Sequence, residues 1–341
     1  MNILSTIKSS LLWRYFILFF IKPIYEIIWE YLINVEGKIL YFLWFKKKKK
    51  NYFNLINQDK LLVLDNKDFG LIANEIRSNC NHRTLQLSRD FIKKKETNKN
   101  LTNSGENTYK NNINYLLDES IKKKIFKFAC SKEIISTAAN YLKVFPVLNR
   151  LEVYHNLPVK PDQKRGAMMW HRDDFGYKSL DLFITVTELN DKNGPLTVTR
   201  EVEKLGVFGK IRNVIKNPVS GERGKVSDDN FSDYLKKKGE IILKGLPGTG
   251  LFIDSFTAYH KGGHCIEGER LMLRISFTTP DAINLDDNFK ERENYYNFQI
   301  EESLEPKFNE FLLKKKSYFL SKLISKRNLL NLYRILHLKL N

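Results

Sequence analysis

The sequence predicts an α+β protein with a mainly β core and helices flanking that core on both sides. Between residues 151 and 278, short segments alternate apolar with polar residues, which is the period of a strand with one buried face. Glycine and proline separate these segments, whereas the flanking residues repeat at the period of a helix. A chain of 341 residues can hold one large β domain with appendages. We predict amphipathic helices at 1–50, a β domain at 51–283 with a helical lead-in at 51–150 and an insertion near 200–238, and a basic helical segment at 284–341.

The first predicted helix begins at Pro23, a residue suited to a first helical turn, and ends at Gly37. Its apolar residues recur at helical spacing, and a second short apolar face precedes the lysine run Lys46–Lys50. An apolar face beside clustered lysines suits an anionic membrane surface, but it suits equally packing on the β core or on a second subunit. The two faces comprise Ile24, Ile27, Ile28, Tyr31, Leu32 and Val35, and then Ile39, Leu40, Leu43 and Trp44.

The lead-in to the β core contains a predicted loop and a predicted helix. Residues 93–112 are nearly devoid of apolar side chains, which is typical of a mobile loop. Ser131 is a suitable N-cap for a helix over Lys132–Lys143, whose apolar residues share one face. Pro146 prevents that helix from continuing, because proline lacks the backbone N–H and clashes with the preceding turn.

The strands of the core follow from alternation and from the turns between them. Asn193-Gly194-Pro195 is a turn, and the glycine-rich, charged residues 200–238 predict an insertion over one mouth of the barrel with a short helix near Asp228–Lys238. The predicted strands are Leu151–His155, the segment that carries His171, Leu180–Leu189, Leu196–Thr199, Glu240–Leu243, Leu251–Asp254 and Arg270–Thr278.

Composition excludes several classes of function. The net charge of +18 comes largely from lysine runs, yet no zinc-finger spacing or helix-turn-helix pattern accompanies them, so we do not expect nucleic-acid binding. The three cysteines, Cys80, Cys130 and Cys265, are far apart and form no Cys-x-x-Cys motif, which favours a reducing compartment. No uncharged run approaches the roughly 18 residues of a membrane span. We therefore expect a cytoplasmic protein whose membrane contact, if it has one, is peripheral and at the inner face.

A His-x-carboxylate pair is the most informative motif for chemistry. His171 and Asp173 stand two residues apart, and strand side chains alternate with period two, so both can point the same way and bind one ion. His260 follows a predicted strand and is the expected third ligand, with His264 as the alternative. Two imidazoles and one carboxylate leave open positions on an octahedral iron. We therefore predict that His171, Asp173 and His260 form a non-haem Fe(II) site and are the catalytic residues.

A buried cation downstream of these residues would identify the co-substrate. The far carboxylate of a 2-oxo acid needs a two-point cationic partner, which arginine supplies and lysine cannot. Arg270 begins a predicted strand ten residues after His260, and Arg274 has the same parity and is the alternative. Tyr154, on the first core strand, could donate a hydroxyl to the same carboxylate. The expected cofactors are therefore Fe(II), a 2-oxo acid with a second carboxylate, and O2.

Several short motifs in the same order resemble the phytanoyl-CoA dioxygenase family over roughly residues 115–280. The resemblance implies a double-stranded β-helix (jelly-roll, cupin-like) with Fe(II) held by His171, Asp173 and His260. It also implies that the far carboxylate of 2-oxoglutarate pairs with Arg270. The middle residue of the His-x-Asp triplet is Arg172 in this sequence, whereas a polar uncharged residue also occurs there in relatives. The motifs are Trp170-His171-Arg172-Asp173, Leu182 to Pro195, Gly248 to Asp254, His260-Lys261-Gly262-Gly263 and Gly268-Glu269-Arg270.

Three functions remain open at this point. The first is an Fe(II)- and 2-oxoglutarate-dependent dioxygenase that hydroxylates a small, lipid-like or acyl substrate; the carboxylate of Asp173 favours hydroxylation. The second is a non-catalytic, cupin-like binding protein, and the third is a different divalent-metal enzyme on the same fold. Arg270 discriminates among them, because a hydrolase or an isomerase needs no buried cation for a 2-oxo acid.

Overall fold

The computed structural model describes residues 34–44, 62–65, 67–97, 109–160, 166–173, 179–199, 231–233, 235–236, 239–255, 258–280 and 312. Within these ranges, nine strands form two antiparallel sheets, and α-helices precede most of them. The mixed architecture of helices and antiparallel sheet predicted from the sequence is thus confirmed. The apolar faces predicted before residue 34, nearly all of the segment 284–341 and most of the insertion lie outside the described residues.

The elements are numbered in chain order. Two one-turn 3-10 helices, Asn114–Leu116 and Gly166–Met168, interrupt them. The helices are α1 (residues 34–44), α2 (Lys67–Asn79), α3 (His82–Thr97), α4 (Glu119–Ala129) and α5 (Lys132–Leu142). The strands are β1 (Leu62–Asp65), β2 (Lys110–Asn112), β3 (Val147–Asn156), β4 (Ser179–Thr185), β5 (Thr197–Thr199), β6 (Glu240–Ile242), β7 (Thr249–Ile253), β8 (His260–Lys261) and β9 (Arg270–Thr278).

The large sheet has six strands in the order β1-β7-β4-β9-β3-β2. Strand β9 is central and pairs along its whole length with β3, from Val147 opposite Thr278 to Asn156 opposite Arg270. Because neighbouring side chains alternate, Leu271, Leu273, Ile275 and Phe277 lie on one face and pack in an apolar cluster with the helices. The helices therefore cover this face of the large sheet. The side chains of the opposite face line a second buried space.

The small sheet, β6-β5-β8, covers the second face of the large one. A separate apolar cluster joins Val198 and Leu196, at β5, to Phe183, Leu251 and Met272 of the large sheet. On β9, Arg270 and Arg274 share the parity of Met272. Both arginines therefore enter the space between the sheets, where a charged side chain needs partners.

Helix α1 corrects the prediction that Gly37 ends the first helix. The helix runs through Gly37 to residue 44, and Gly37 lies on its buried face with Leu40 and Trp44. The carbonyl of Gly37 accepts a hydrogen bond from the backbone N–H of Phe145 (2.9 Å), and Trp44 donates its indole N–H to Ser136 (2.9 Å). The glycine does not stop the helix because tertiary packing outweighs its low helical propensity, about 1 kcal/mol.

Two further boundaries differ from the sequence prediction. The loop predicted at 93–112 is helix up to Thr97, and it is strand β2 from Lys110 because these residues pair with β3; the buried Asn111 also donates to Ser88 (3.0 Å). The strand predicted over Leu180–Leu189 ends at Thr185. The local sequence pattern does not predict where these two strands begin or end, because pairing with distant segments sets their boundaries.

Other elements agree with the prediction. Ser131 has the extended backbone of an N-cap and begins helix α5, which ends one residue before Lys143. Strand β9 has the predicted bounds, Arg270–Thr278. Gly194, in the predicted turn, has φ +76°, a conformation that glycine adopts without strain. None of the helices in the described ranges is both long enough and apolar enough to cross a membrane.

We predict opposite effects for two glycines that touch each other. Gly248 has φ +96°, and an added Cβ would lie 2.5 Å from Cα of Gly70, so Gly248→Ala should destabilise the protein by about 2 kcal/mol or more. Gly70 lies inside helix α2 with open space around its Cβ position, so Gly70→Ala should stabilise by about 0.5–1 kcal/mol. Urea unfolding of the two variants measures both changes; equal effects would contradict the described contact.

Candidate metal centre

A short antiparallel ribbon carries the predicted metal ligands. His171 and His260 face each other across an isolated bridge, and each donates its backbone N–H to the carbonyl of the other (2.9 Å both ways). Further along the ribbon, Asp173 donates its N–H to Ser255 (2.9 Å) and Gly262 donates to Ala167 (2.6 Å). The segment 166–173 therefore lies beside the part of the chain that contains β8. This pairing fixes the positions of the three predicted ligands relative to one another.

The ribbon brings the three predicted ligands together. Nε2 of His171 lies 3.8 Å from Oδ1 of Asp173, and Nε2 of His260 lies 3.9 Å from the same oxygen. The imidazole centroids are 4.4 Å apart, and one donor atom from each residue falls within 4.8 Å of the others. His260 is buried, and the other two side chains are at most 15% exposed. This group could hold a single metal ion.

Both imidazoles are oriented by carbonyls of their own segment. Nδ1 of His171 lies 2.8 Å from the carbonyl oxygen of Met169, and Nδ1 of His260 lies 3.2 Å from that of Ala258. A carbonyl only accepts hydrogen bonds, so each neutral ring carries its proton on Nδ1 and donates it there. Nε2 is then left with a lone pair directed at Asp173. This orientation is the one that metal-binding histidines commonly have.

The carboxylate of Asp173 divides its two oxygens between different partners. Oδ1 faces the imidazoles, and Oδ2 accepts a hydrogen bond from Arg274 (2.5 Å). Burial raises the pKa of Asp173, but the charge of Arg274 and its hydrogen bond, together with the two imidazoles when they are protonated, outweigh burial and hold this pKa well below its usual value. The side chain therefore remains an anion, which is the form that binds a cation.

Arg274 is paired twice in the interior. Besides Asp173 it donates to both carboxylate oxygens of fully buried Asp181, at 3.2 Å from Nε and 3.0 Å from Nη2. Burial lowers the pKa of Arg274, but the two aspartates outweigh burial and raise it well above its ordinary value. Sequence reasoning missed Asp181, although a single carboxylate in the apolar stretch Leu180–Ile184 indicated a buried partner for a cation.

Arg270 is equally buried but has a different environment. Its Nη1 donates to the carbonyls of Gly194 and Gly262, and its Nε has no hydrogen-bond partner in the described part of the chain. Burial is the largest influence on this guanidinium and lowers its pKa. Arg274 thus has two carboxylates, whereas Arg270 has carbonyl partners and, among the described residues, no carboxylate within salt-bridge distance.

Glycine geometry holds the two carbonyls that Arg270 contacts. Gly194 and Gly263 both have positive φ, and their backbones cross in direct contact. A Cβ on Gly194 would lie 2.6 Å from the backbone nitrogen of Cys265, and a Cβ on Gly263 would lie 2.2 Å from the carbonyl oxygen of Pro195. Only residues without a side chain fit this crossing.

Tyr154 lies on the inner face of β3, but its hydroxyl already has a partner. It donates to the carboxylate of Glu152, and the ammonium of Lys110 lies 3.7 Å above its ring. Burial raises the pKa of Tyr154 and lowers that of Lys110 to about 8. The structure thus shows Tyr154 in a charged cluster with Glu152 and Lys110, and its contact with a co-substrate stays a prediction. Sequence reasoning missed Lys110, which it assigned to a loop.

Of the other described residues, His264, His155 and the cysteines do not belong to the candidate metal-binding group. His264 contacts the carbonyl of Val159 through Nε2 (2.7 Å) and is absent from the metal-binding group. His155 is fully buried between Ser88 and Glu269, and burial lowers its pKa. The thiol of Cys265 is buried and donates to Gly268 (3.4 Å). All three cysteines are free.

Comparison with known proteins gives distant similarities. No protein-family model matches the sequence, and no curated protein matches it significantly. Among solved structures, the fold is similar to the non-haem α-ketoglutarate-dependent carbocyclase SnoK from nogalamycin biosynthesis, with a TM-score of 0.44, 11% identity, and coverage of 70% of this chain and 86% of that one. It is also similar to EctD from S. alaskensis, crystallised with 2-oxoglutarate and 5-hydroxyectoine (TM-score 0.42, 12% identity, coverage 66% and 74%). A third structure is the non-haem monooxygenase ThoJ (TM-score 0.40, 10% identity, coverage 67% and 78%). At these scores the similarities assign neither family nor activity, and the resemblance to the phytanoyl-CoA dioxygenase family remains a prediction.

Proposed function

We propose that this protein is an Fe(II)- and 2-oxoglutarate-dependent oxygenase that hydroxylates a small molecule. One observation carries the proposal: Nε2 of His171, Oδ1 of Asp173 and Nε2 of His260 converge, and the buried Arg270 donates to the carbonyl of Gly262, two residues after His260. The three converging donor atoms suit a metal ion, and the buried guanidinium suits an anion.

The donor set fits Fe(II). Two neutral imidazoles and one carboxylate are ligands that non-haem iron accepts, and three protein ligands leave three octahedral positions for other molecules. His171, Asp173 and His260 would hold the ion, and the carbonyls behind each imidazole would keep Nε2 directed at it. When bound, iron supplies the redox chemistry that couples oxidation of a 2-oxo acid by O2 to oxidation of the substrate.

The interior cation fits a dicarboxylic 2-oxo acid. Arg270 is 5% exposed and has no carboxylate partner among the described residues, and burying such a guanidinium is costly unless a ligand supplies the negative charge. The far carboxylate of 2-oxoglutarate would accept hydrogen bonds from this guanidinium in a two-point contact. Arg274 is less suited to that role, because Asp181 and Asp173 already occupy it. Tyr154 is a secondary contact in the proposal.

We also propose that the two sheets form a double-stranded β-helix, as in the phytanoyl-CoA dioxygenase family. The apolar cluster between β5 and the inner face of the large sheet supports this arrangement, as does the antiparallel pairing throughout. The hydroxylated substrate is a small molecule, and the sequence favours a lipid-like or acyl compound. An enzyme that uses another divalent metal without a 2-oxo acid would leave the burial of Arg270 unexplained, and a binding protein without chemistry would not need three converging metal ligands.

The metal proposal predicts about one Fe(II) per chain in protein reconstituted without oxygen. His171→Ala and Asp173→Ala should each lose the metal, because two ligands bind far more weakly than three. His264→Ala is the matched control, since His264 lies four residues beyond His260 but is bonded to Val159. Metal content measured after gel filtration distinguishes the outcomes; full iron retention in both ligand variants would exclude this site.

The co-substrate proposal predicts a selective defect in Arg270→Leu. Loss of one buried charge-assisted contact costs on the order of 2–5 kcal/mol, so the 2-oxoglutarate concentration for half-maximal turnover should rise at least about 30-fold. Iron binding should remain close to that of the unmodified protein. Succinate formation as a function of 2-oxoglutarate measures the change. If Arg274→Leu shows this selective defect and Arg270→Leu does not, the assignment of the two arginines is reversed.

We further propose that α1 docks on an anionic membrane surface. Leu40 and Trp44 pack on the core, whereas Val35, Ile39 and Phe42 recur at helical spacing on the opposite side and are 41%, 57% and 61% exposed. Lys38 is exposed on the same helix, and the run Lys46–Lys50 follows it in the sequence. Apolar side chains beside clustered lysines match the interface of an anionic bilayer.

Docking predicts sedimentation with anionic vesicles at low salt and weaker sedimentation at high salt, because each lysine near the surface contributes roughly 1 kcal/mol that salt screens. The pair Ile39→Ser and Phe42→Ser should abolish sedimentation, while Leu246→Ser and Ile266→Ser, also exposed, should not. Equal binding by both pairs, or binding to neutral vesicles, would contradict docking through α1.

A further inference from the structure

The face of the ribbon that points away from the metal ligands carries an aromatic cluster. By the register of the His171–His260 bridge, Trp170 stands opposite Lys261, and Arg172 stands opposite Tyr259. Each of these cross-strand pairs forms a cation–π contact: the Lys261 ammonium lies 4.7 Å from the Trp170 ring, and the Arg172 guanidinium lies 3.9 Å from the Tyr259 ring. Side-chain alternation places these four side chains on one face of the ribbon and the two ligand imidazoles on the other.

Phe231 joins the two aromatic rings. Its ring is stacked on Trp170, with centroids 4.9 Å apart and an interplanar angle of 26°, and it lies 4.9 Å from Tyr259 at 60°. Trp170 is fully buried and Phe231 is 5% exposed. Phe231 belongs in sequence to the insertion predicted near 200–238, so it comes from outside the ribbon that it contacts.

We propose that Phe231 is a positioning residue for the metal centre, acting through Trp170 and Tyr259. This inference rests on the proposed metal function of the ribbon. Trp170 immediately precedes His171 in the chain, and Tyr259 immediately precedes His260. One side chain therefore clamps the two backbone positions from which both imidazole ligands extend.

The local structure explains why such a clamp is required. The His171–His260 pairing is an isolated bridge with a single pair of backbone hydrogen bonds between the two ligands. Aromatic contacts and cation–π contacts across both strands add attraction that keeps the strands in register. A shift of one strand would separate the two Nε2 atoms, and metal affinity depends steeply on such supporting contacts.

The first experiment compares metal affinity with stability. In Phe231→Leu, the dissociation constant for Co(II), followed by visible absorption, should rise about 10–100-fold, the range typical of lost support around a metal site. Phe126→Leu is the matched control, because Phe126 is equally buried but lies on α4 in the apolar cluster on the other side of the large sheet. Phe231→Tyr keeps the ring and should bind Co(II) as the unmodified protein does.

Phe231→Leu and Phe126→Leu each lose apolar contacts and stability, but only Phe231→Leu should lose Co(II) affinity while the protein is still folded. Co(II) affinity of Phe231→Leu within two-fold of the unmodified protein would overturn the inference. Equal loss in Phe126→Leu would do the same, because the effect would then be one of general packing.

A second measurement needs no metal and separates this inference from the proposed function. Amide hydrogen exchange of the metal-free protein, resolved by NMR, reports the backbone hydrogen bonds of His171 and His260. In Phe231→Leu their exchange should accelerate at least about 10-fold more than that of the Leu273 amide in β9, whose acceleration reports the loss of global stability. Unchanged exchange at both histidines would refute positioning by Phe231, whether or not the protein binds iron.

Discussion

The pair of backbone hydrogen bonds between His171 and His260 is the constraint on which the centre depends. These bonds set the two imidazoles directly opposite each other and place Asp173, two residues along, on the same side. They also set the register of the outer face, where Trp170 and Tyr259 meet Phe231. Ligand geometry and its support are therefore two faces of one ribbon, and a change in register would disturb both.

Arg274 connects this ribbon to the large sheet. Its guanidinium spans the interior from Asp181 on β4 to Asp173, so the ligand carboxylate is held by a side chain of the central strand. A buried ion pair of this kind is weak evidence for stability, because desolvation offsets most of the attraction. The ion pair orients the carboxylate of Asp173: because Oδ2 is bound to Arg274, Oδ1 is the oxygen that faces the imidazoles. A metal that arrived would find the carboxylate already oriented.

The sequence predicts those parts of the site whose chemistry is local. The spacing of His171 and Asp173, and the alternation that brings Arg270 and Arg274 into the interior, can be recognised from a few adjacent residues. The strand before His260 favours this residue over His264, and His260 is the one that lies in the group of three side chains that could hold a metal ion. Arg274 has two carboxylate partners and Arg270 has none among the described residues, and this difference could not be predicted because it depends on Asp181, about 90 residues from Arg274 in the chain.

Other misses have the same physical origin. Gly37 lies within a helix because Phe145 hydrogen-bonds to its carbonyl, and Lys110 belongs to a strand because β3 pairs with it. The composition of residues 93–112 indicates a loop, but three paired residues at an edge need little apolar character of their own. Phe231 carried no pattern that would single it out, since its two aromatic partners come from separate segments.

The crossing of Gly194 and Gly263 has a consequence for how such a site can change in evolution. The carbonyls that hold Arg270 are backbone atoms, and their position follows from two residues that have no side chain. Selection cannot adjust the surroundings of Arg270 gradually through these positions, because the smallest substitution already pushes the two backbones apart. If Arg270 binds a dicarboxylate as proposed, preference for a longer or shorter one would have to arise from other residues around it. Gly194 and Gly263 would then stay constant while other residues around Arg270 change.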